Sequence, residues 1–435
     1  MPTFDKGLRF AGAAALFAAL LVPLIVVPGQ MFPFIAPRAQ FFRLCVDAAT
    51  VCLGLLILRG VMTFPRLGVI GVCFGLYAAA MLAADLMAWR PSLALFSTIE
   101  RFDGYMALVW AFGYFAAAAA LLRGLWRHYL AGMMIVAFLA LGAAVYQLAG
   151  WFATGFPTPP RVYGSIGNPS YLGTYAALCL FLAAWLWKAG WRRWAALGFA
   201  SSLVSLVLSQ TRGAVLGAIL GGLAAMWLSG RWRAKQIAIF GLASLVLAGM
   251  VAYALPDWPS LARFRPTIAN ERWEVWAVAL DAFTRHPVLG WGHEGFAQAF
   301  LMLADKGAPQ GMLPYDRAHN LLLDKMVEGG LLGAGAYVAL FLAAASAARK
   351  QPILIGFLVC YAVSNMFLFE VLVTQAAFLA FLAMLVGGDV AQRPGVVAHG
   401  EPLHDGRARS RRAERGRGHG HGAVGRPRAG SGELD

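Results

Sequence analysis

The stretch Tyr315-Asp316-Arg317-Ala318-His319-Asn320 closes a polar segment, 256–318, in a chain that is otherwise almost continuously apolar. Hydrophobic sequence resumes directly after Asn320. Three of the 8 histidines lie in this segment or at its exit, at His286, His293 and His319. Histidines that gather beside helix ends, together with several arginines, favour polar chemistry on one side of a membrane.

The composition excludes a soluble globular protein and predicts an all-α, polytopic membrane protein. The 435 residues are 60% hydrophobic and only 13% charged. Apolar runs of about 17–25 residues predict transmembrane helices. We predict about twelve, and we interpret the first as a retained helix because Val27-Pro28-Gly29-Gln30 is a poor cleavage site. The predicted segments are 9–27, 42–59, 67–88, 104–122, 129–153, 169–187, 194–210, 214–229, 236–255, 319–347, 352–369 and 371–390.

These segments divide the chain into four parts. Residues 1–255 hold transmembrane helices 1–9, residues 256–318 form a large helical loop, and residues 319–390 hold helices 10–12. Residues 391–435 form a basic tail, rich in arginine and glycine and almost without aromatic residues, which predicts disorder. Inside the loop, Asn270 is a candidate helix cap and Pro287 a helix stop. The apolar residues of that amphipathic helix are Trp273, Trp276, Ala277, Leu280 and Phe283.

The net charge of +15 follows the membrane topology and does not indicate a nucleic-acid partner. With the N-terminus in the cytoplasm, the basic short loops and the tail all fall on the cytoplasmic side, as the positive-inside rule requires. An even number of helices then places both termini inside and 256–318 in the periplasm. The basic loop residues are Arg59, Arg66, Arg123, Arg127, Lys188, Arg192, Arg193, Arg231, Arg233, Lys235, Arg349 and Lys350.

Arginines on the other side break this trend and point to a phosphate-bearing lipid, because a guanidinium binds two phosphate oxygens at once. Motifs for other chemistry are absent from the sequence: there is no Walker loop, no HExxH, no clustered carboxylate motif and no cysteine pair with CxxC spacing. We therefore expect no cofactor and no metal. The outer arginines are Arg38, Arg90, Arg101, Arg161, Arg212, Arg263, Arg265, Arg272, Arg285 and Arg317.

Several short motifs follow one another between about residues 155 and 370. They are Gly164-Ser-Ile-Gly167-Asn168-Pro169-Ser-Tyr171-Leu-Gly173, Ser209-Gln210-Thr211-Arg212-Gly213-Ala-Val-Leu216, Arg272-x-x-x-Trp276, His286-Pro-Val-Leu-Gly290-Trp-Gly292, Ala318-His319-Asn320 and Glu328-Gly-Gly-Leu-Leu-Gly333. In this order the chain resembles the O-antigen ligase/polymerase superfamily. These bacterial membrane glycosyltransferases have a GT-C-like fold and move glycans from undecaprenyl diphosphate carriers.

The resemblance implies roles for individual residues. His319 would be the catalytic base, and Arg212 and Arg265 would bind the diphosphate as catalytic residues. His286 and His293 read as structural; Asp281, Glu294 and Asp316 remain open as carboxylate bases, and Asp47 and Asp85, in predicted membrane spans, remain unassigned. The implied substrate-binding residues are Arg161, Tyr163, Asn168, Gln210, Arg272, Tyr315, Arg317 and Asn320.

The function expected from this resemblance is that of an O-antigen ligase in the bacterial inner membrane, with its active site on the periplasmic face. Its partners would be an undecaprenyl-diphosphate-linked polysaccharide, the lipid A–core oligosaccharide and membrane lipid, and transfer would be metal-independent and inverting. An O-antigen polymerase and a protein O-oligosaccharyltransferase remain alternatives. From another class, a flippase or transporter of lipid-linked glycan predicts charges near the bilayer midplane and a repeat between the two halves.

Overall fold

The computed structural model describes residues 3–150, 161–254, 266–304 and 315–388, and within these ranges the chain is all-α with no strand. The predicted fold class is confirmed. The helices are α1 (Thr3–Ala19), α2 (Ala36–Leu58), α3 (Gly68–Leu86), α4 (Pro91–Phe96), α5 (Tyr105–Leu121), α6 (Trp126–Leu148), α7 (Pro169–Lys188), α8 (Arg192–Ser209), α9 (Arg212–Leu228), α10 (Ala234–Ala254), α11 (Pro266–Arg285), α12 (Gly295–Ala304), α13 (Leu321–Ala348), α14 (Pro352–Asn365) and α15 (Leu372–Val386).

Each of the twelve predicted apolar segments overlaps one of these helices. Six described spans are long and apolar enough to cross a membrane: Thr3–Leu24, which contains α1, and the helices α2, α3, α6, α7 and α13. Four shorter apolar helices, α5, α9, α14 and α15, pack among them. The total of twelve transmembrane helices stays a prediction.

Small residues let the helices that carry the site approach one another closely. At Gly221 of α9, an added Cβ would lie only 2.4 Å from the backbone oxygen of Gly356 on α14. Such close backbone contact is typical of helix pairs in membranes, where dispersion forces replace the hydrophobic effect. Helix α9 begins nine residues before Gly221, at Arg212. This packing therefore fixes the start of α9 against the end of α14.

Loops alternate between two ends of the helix bundle. The site end carries loops 20–35, 87–90, 97–104, 161–168, 210–211, 286–294, 315–320 and 366–371, and the opposite end carries loops 59–67, 122–125, 189–191, 229–233 and 349–351. The basic residues of the short loops lie at or beside the opposite end. That separation is the pattern on which the topology prediction rests, and the identity of each face stays a prediction.

The described part of the polar segment forms two helices, α11 and α12, with a small hydrophobic core of their own. Val275, Ala279 and Ala282 of α11 pack against Phe296 and Phe300 of α12. The buried stripe of α11 is therefore not the predicted tryptophan-rich one. That predicted face stays largely open, with Trp273 64% exposed and Leu280 48% exposed, which suits a helix lying at a membrane interface.

The predicted start of the loop helix is wrong. Asn270 does not cap α11 but lies inside it, because the helix begins four residues earlier at Pro266. Proline is well suited to the first helical position, since its fixed φ matches a helix and its missing N–H would have no partner there. The helix ends at Arg285, close to the predicted stop at Pro287.

Helix α13 is interrupted at Gly330, where φ is 58° and ψ is −156°. The backbone groups released by this break are bonded to the segment after α11. Trp291 N–H donates to Val327 O at 2.8 Å and Gly292 N–H donates to Glu328 O at 2.9 Å. In return, Leu331 N–H donates to Pro287 O at 2.7 Å and Leu332 N–H donates to Val288 O at 3.2 Å. The motifs 286–292 and 328–333 thus form one interlocked unit.

Candidate functional site

The turn that contains His319 is held on three sides. Trp276 Nε1 on α11 donates to Ala318 O at 3.1 Å, and Ala318 N–H donates to Asp324 Oδ1 on α13 at 2.6 Å. Asn320 caps α13, its side-chain oxygen accepting from the N–H groups of residues 322 and 323 at 3.1 and 3.2 Å. His319 itself has φ of 54°. This left-handed conformation is uncommon for a residue other than glycine, and the hydrogen bonds on both sides of His319 hold the turn in it.

The hydrogen bonding of His319 decides which ring nitrogen is basic. Nδ1 lies 3.1 Å from Arg317 O, and a carbonyl oxygen can only accept. Nδ1 therefore carries the proton in the neutral ring, and Nε2 keeps its lone pair. Partial burial lowers the pKa of His319 below its ordinary value, the Arg317 carbonyl opposes this, and the Arg272 guanidinium lowers it further. The ring is thus a neutral base near pH 7.

Aromatic rings and guanidinium groups surround this imidazole. The ring of Tyr315 lies 5.7 Å away and that of Phe369 lies 5.1 Å away, both edge to face. Arg101 stacks on Phe369, with its guanidinium carbon 4.9 Å from the centroid of that ring. Arg101 Nε also donates to Asp316 Oδ2 at 2.5 Å. Asp316, one of the open carboxylate bases, is therefore engaged by a cation.

Arg317 is buried, 2% exposed, among carboxylates. It contacts Asp103 at 2.8 Å, Glu294 at 3.4 Å and Glu328 at 3.4 Å. Burial alone would lower the pKa of Arg317, but the carboxylates of Asp103, Glu328 and Glu294 raise it well above its ordinary value. The structure thus places this predicted substrate-binding residue in an ion-pair network that anchors the turn beside His319.

Glu294 and Asp103 share a hydrogen bond in this network, and Ser97 Oγ donates to Glu294 Oε1 at 2.6 Å. Two carboxyl groups can share a hydrogen bond only if one of them is protonated. Burial raises the pKa of Glu294 to about 7, Arg317 opposes the rise and Asp103 adds to it. Glu294 is therefore the partner that holds the proton below neutral pH.

A second cluster forms around the turn 209–212, between α8 and α9. Gln210 has φ of 50° and ends α8 in the left-handed conformation. Arg161 donates from Nε and Nη2 to Ser209 O at 3.0 and 2.9 Å, and from Nη2 to Thr211 Oγ1 at 2.8 Å. Arg212 is exposed at the first position of α9. Arg161, predicted as a substrate ligand, thus uses two of its nitrogens to hold the turn that presents Arg212.

The entry to α7 supports the same cluster. Thr211 Oγ1 donates to Pro169 O at 2.9 Å. Asn168, a predicted substrate-binding residue, caps α7 by accepting from Ser170 N–H at 2.8 Å. Tyr163, also predicted to bind substrate, is buried, and its backbone N–H donates to Gln147 Oε1 at 2.9 Å. All of these contacts are structural ones within the bundle.

The outer arginine Arg38 is likewise a structural tie. It is 3% exposed and donates to three backbone oxygens, those of Ile25 at 2.9 Å, Ile166 at 2.8 Å and Ser165. A buried guanidinium needs such partners, because each of its donors would otherwise be unsatisfied. Arg38 therefore fixes loop 161–168 against α2.

The segment after α14 lies between the two clusters. Phe367 packs under the start of α9, where a Cβ on Gly213 would lie 3.2 Å from its ring. Two residues on, Phe369 contacts both His319 at 5.1 Å and Tyr171 of α7 at 5.9 Å. The structure thus connects the turn of Arg212 to His319 through one short aromatic segment. Arg265 lies outside the described residues.

A cavity of about 530 Å³ opens beside this site. Tyr163, Asn168 and Arg317 are the predicted residues that line it, whereas the lining among described residues does not include His319, Arg212 or Arg272. Phe369 separates the cavity from His319. The cavity is also lined by polar residues that were not predicted as site residues, and its walls deeper in the bundle are apolar. The polar lining residues outside the predicted set include Arg43, Arg101, Asp103, Tyr171, Lys325 and Glu370.

Lys325 is the clearest residue that sequence reasoning missed. Its Nζ lies 3.2 Å from Glu328 Oε2 and 3.8 Å from Glu370 Oε2. The signal was present, because Asp324, Lys325 and Glu328 bring three charges into the start of an apolar helix, where charge is costly.

The other two histidines of the polar segment, together with Asp85 and Asp281, have structural partners. His293 is buried, and its Nδ1 and its backbone N–H both bond Asp85 at 2.7 Å. Although burial lowers the pKa of His293, the hydrogen bond to Asp85 raises it above its ordinary value. His286 packs edge-on against Trp291 at 4.4 Å. Asp281 forms an exposed ion pair with Arg285 at 3.1 Å, one helical turn away.

One comparison with known proteins gave a match. Residues 197–338 match the model of a family described as O-antigen ligase. The matched region runs from α8 to α13 and includes the turn of Arg212, the interlocked motifs and His319. No match was found among curated proteins. The matched region supports an O-antigen ligase-type family for this all-helical membrane protein.

Proposed function

We propose that the protein is an O-antigen ligase, which transfers a polysaccharide from undecaprenyl diphosphate to a sugar hydroxyl of lipid A–core. The observation that carries the proposal is the geometry of His319 within the family-matched region. Its Nδ1 is committed to Arg317 O, so Nε2 is the basic nitrogen, and its pKa is lowered. A neutral imidazole with a fixed tautomer is what a base for a sugar hydroxyl requires.

In the proposed reaction, the acceptor hydroxyl attacks the anomeric carbon of the donor glycan from the face opposite the diphosphate. The hydroxyl proton passes to His319 Nε2 as the new carbon–oxygen bond forms. The bond from the anomeric carbon to the diphosphate oxygen breaks, and its electron pair leaves with undecaprenyl diphosphate. This single displacement inverts the anomeric centre. No nucleotide needs to be hydrolysed, because the diphosphate is already a good leaving group.

The leaving diphosphate would be stabilised by arginines. Arg212 is exposed at the start of α9, where the partial positive charge of the helix terminus adds to its own. Arg161 supports it by holding the turn, and Arg265 remains a proposed second ligand. Arg272 lowers the pKa of His319 and would attract the donor anion to the same place. Cations placed where charge develops stabilise the transition state directly.

A transporter of lipid-linked glycan is less well supported. The Arg317–Glu328–Lys325 network lies in the first eight residues of α13 and in the loop that precedes it. At about 1.5 Å per residue, these positions lie within about 11 Å of the start of a helix that is about 42 Å long. The charges of this network therefore lie towards the site end, as a surface enzyme requires. A polymerase and a protein O-oligosaccharyltransferase share this chemistry and differ only in the acceptor.

The test uses the purified full chain in lipid nanodiscs, with undecaprenyl-diphosphate-linked polysaccharide as donor and lipid A–core as acceptor. Wild-type protein should produce the full-length lipopolysaccharide ladder, and His319→Ala should reduce the rate by roughly 10²–10⁴. The matched control is His286→Ala, which removes an exposed imidazole and should keep the wild-type rate. Equal rates for the two variants would remove His319 from the mechanism.

The acceptor is tested in cells. A strain lacking the protein should make lipid A–core without O-antigen while lipid-linked polymer of normal length accumulates. Accumulation of single repeat units on the carrier would instead identify a polymerase. Normal lipopolysaccharide together with an unglycosylated glycoprotein would identify a protein O-oligosaccharyltransferase.

A further inference from the structure

Helices α2 and α5 pack closely at one level, and nearer the site end side chains lie between them. At Gly113 of α5, an added Cβ would lie 3.2 Å from Val46 Cγ1 and 3.3 Å from Thr50 Cγ2 of α2. Nearer the site end, the space between the two helices is filled by Arg43 and Trp110, which both line the cavity. The barrier between cavity and surroundings at this level is thus made of side chains, which can move, and not of packed backbone.

Arg43 is held between two aromatic rings in this cleft. Its guanidinium carbon lies 4.3 Å from the centroid of Trp110 and 5.1 Å from that of Phe102. One of its terminal nitrogens donates to Phe102 O at 3.0 Å. An ordinary interfacial arginine extends its charge towards water, whereas this one is stacked and faces a cavity.

An exposed carboxylate lies on the other side of the same cleft. Asp47 follows Arg43 by one helical turn and is exposed, with Trp110 Nε1 donating to its Oδ1 at 2.8 Å. At about 1.5 Å per residue, it lies roughly 16 Å along α2, near the middle of that helix. A charge exposed at this depth of an apolar span is costly and marks a functional position. Arg43 and Asp47 thus both contact Trp110, the arginine where it lines the cavity and the carboxylate at the exposed surface.

A continuous series of contacts leads from this cleft to the proposed base. Arg43 contacts Phe102, and the neighbouring residue Arg101 lines the cavity and stacks on Phe369 at 4.9 Å. Phe369 in turn contacts His319 at 5.1 Å. Arg43 and Arg101 are two guanidinium groups that follow each other along this path. A phosphate group can pass from the first to the second without being left unpaired in an apolar environment.

We propose that the cleft between α2 and α5 is a lateral entry site, at which Arg43 binds the phosphate of a polyprenyl diphosphate arriving from the bilayer. Arg101 then receives the diphosphate on its way to His319. The inference rests on the proposed function, and it adds an entry route through the part of the chain that precedes the family-matched residues 197–338. It accounts for two charged residues of α2, Arg43 and Asp47, that the proposed reaction does not use.

The binding test uses full-length protein in phosphatidylcholine nanodiscs and radiolabelled undecaprenyl diphosphate. Arg43→Ala should weaken binding about tenfold or more, and Arg43→Lys should weaken it less, because charge is kept while the planar stacked group is lost. The matched control is Arg66→Ala, which removes an exposed arginine at the opposite end of the bundle and should bind as wild type does. Thermal unfolding of Arg43→Lys checks that any loss is not one of folding.

Three further arms identify the ligand and separate this inference from the proposed function. Undecaprenol, which lacks phosphate, should bind Arg43→Ala and wild type alike, and phosphatidylglycerol should compete weakly with the diphosphate. Equal diphosphate binding by Arg43→Ala and Arg66→Ala overturns the entry site, and so does full competition by phosphatidylglycerol. If wild-type protein binds the diphosphate through Arg43 but transfers no glycan, the entry site stands and the proposed function fails.

Discussion

Replacing Gly330 by alanine tests whether the interlocked motifs hold the site together. A Cβ at this position would lie 2.4 Å from both the carbonyl carbon and the oxygen of Val288, and 2.7 Å from Gly290 N. These are backbone atoms, so the clash cannot be relieved by a side-chain rotation. The φ of 58° and ψ of −156° also belong to a region that only glycine occupies readily, at a cost of about 1–3 kcal/mol for other residues.

The expected loss of stability combines strain with hydrogen bonding. Moving segment 287–292 away from α13 weakens the four backbone hydrogen bonds that bridge the break, each worth about 1 kcal/mol net. If two of them are lost, Gly330→Ala costs about 4 kcal/mol, and the apparent Tm falls by roughly 5 °C. The matched control is Gly335→Ala on the same helix, where an added Cβ meets nothing within 4 Å. It should be neutral, or stabilising by up to about 1 kcal/mol.

Both variants are measured by thermal unfolding of purified protein in detergent, together with glycan transfer at a temperature where each remains folded. Gly330→Ala should lose transfer as well as stability, since segment 287–292 and the turn of His319 both rest on the start of α13. If Gly330→Ala melts within about 2 °C of Gly335→Ala, the hydrogen-bonded interlock does not carry the stability assigned to it.

Three other substitutions test the site. The rate of transfer should rise with pH through an apparent pKa below the ordinary histidine value, and Arg272→Gln should move that pKa upward, because a cation that disfavours the imidazolium is lost; an unchanged pH profile would argue against this pairing. Arg212→Lys should reduce transfer at least about tenfold if the guanidinium binds two phosphate oxygens, and full activity would show that a single positive charge suffices. Glu294→Gln should gain stability relative to wild type as pH rises. The pKa of Glu294 is about 7 in the folded protein and 4.5 ordinarily, so protonated Glu294 contributes its full stabilisation of the fold below pH 4.5. That stabilisation is lost as pH rises through 7, whereas glutamine does not titrate. Melting curves at pH 5 and pH 8 measure this difference, and a gap that does not widen would mean that Glu294 is ionised throughout.

The helices and their caps were largely predictable, because they depend on local sequence. Apolar runs of sufficient length gave a helix in every predicted segment, and Asn320 at a helix start is a cap by its residue type. The start of α11 was missed because proline at 266 competes with Asn270 as a start signal, and local sequence does not decide between them. The break of α13 at Gly330 was also missed, since two adjacent glycines in an apolar run do not reveal what backbone lies opposite.

The roles of the arginines were the least predictable part of the site. Arg161 and Arg317 have the residue type of a phosphate ligand, yet Arg161 bonds a turn 48 residues away and Arg317 pairs with a carboxylate 214 residues away. Which arginine meets a carboxylate or a carbonyl depends on helix packing over such separations. From the sequence one can therefore predict that these arginines lie at one end of the bundle. One cannot predict which of them stabilise the fold and which face a ligand.

The order of synthesis gives the break at Gly330 a further consequence. Segment 287–292 precedes α13 along the chain, so it leaves the ribosome before the residues whose backbone groups it will satisfy. A helix with unpaired carbonyl and N–H groups is a poor candidate for insertion on its own, because lipid offers them no partners. We expect α13 to complete its insertion only with this earlier segment already beside it, which makes the loop a partner in membrane insertion as well as a part of the site.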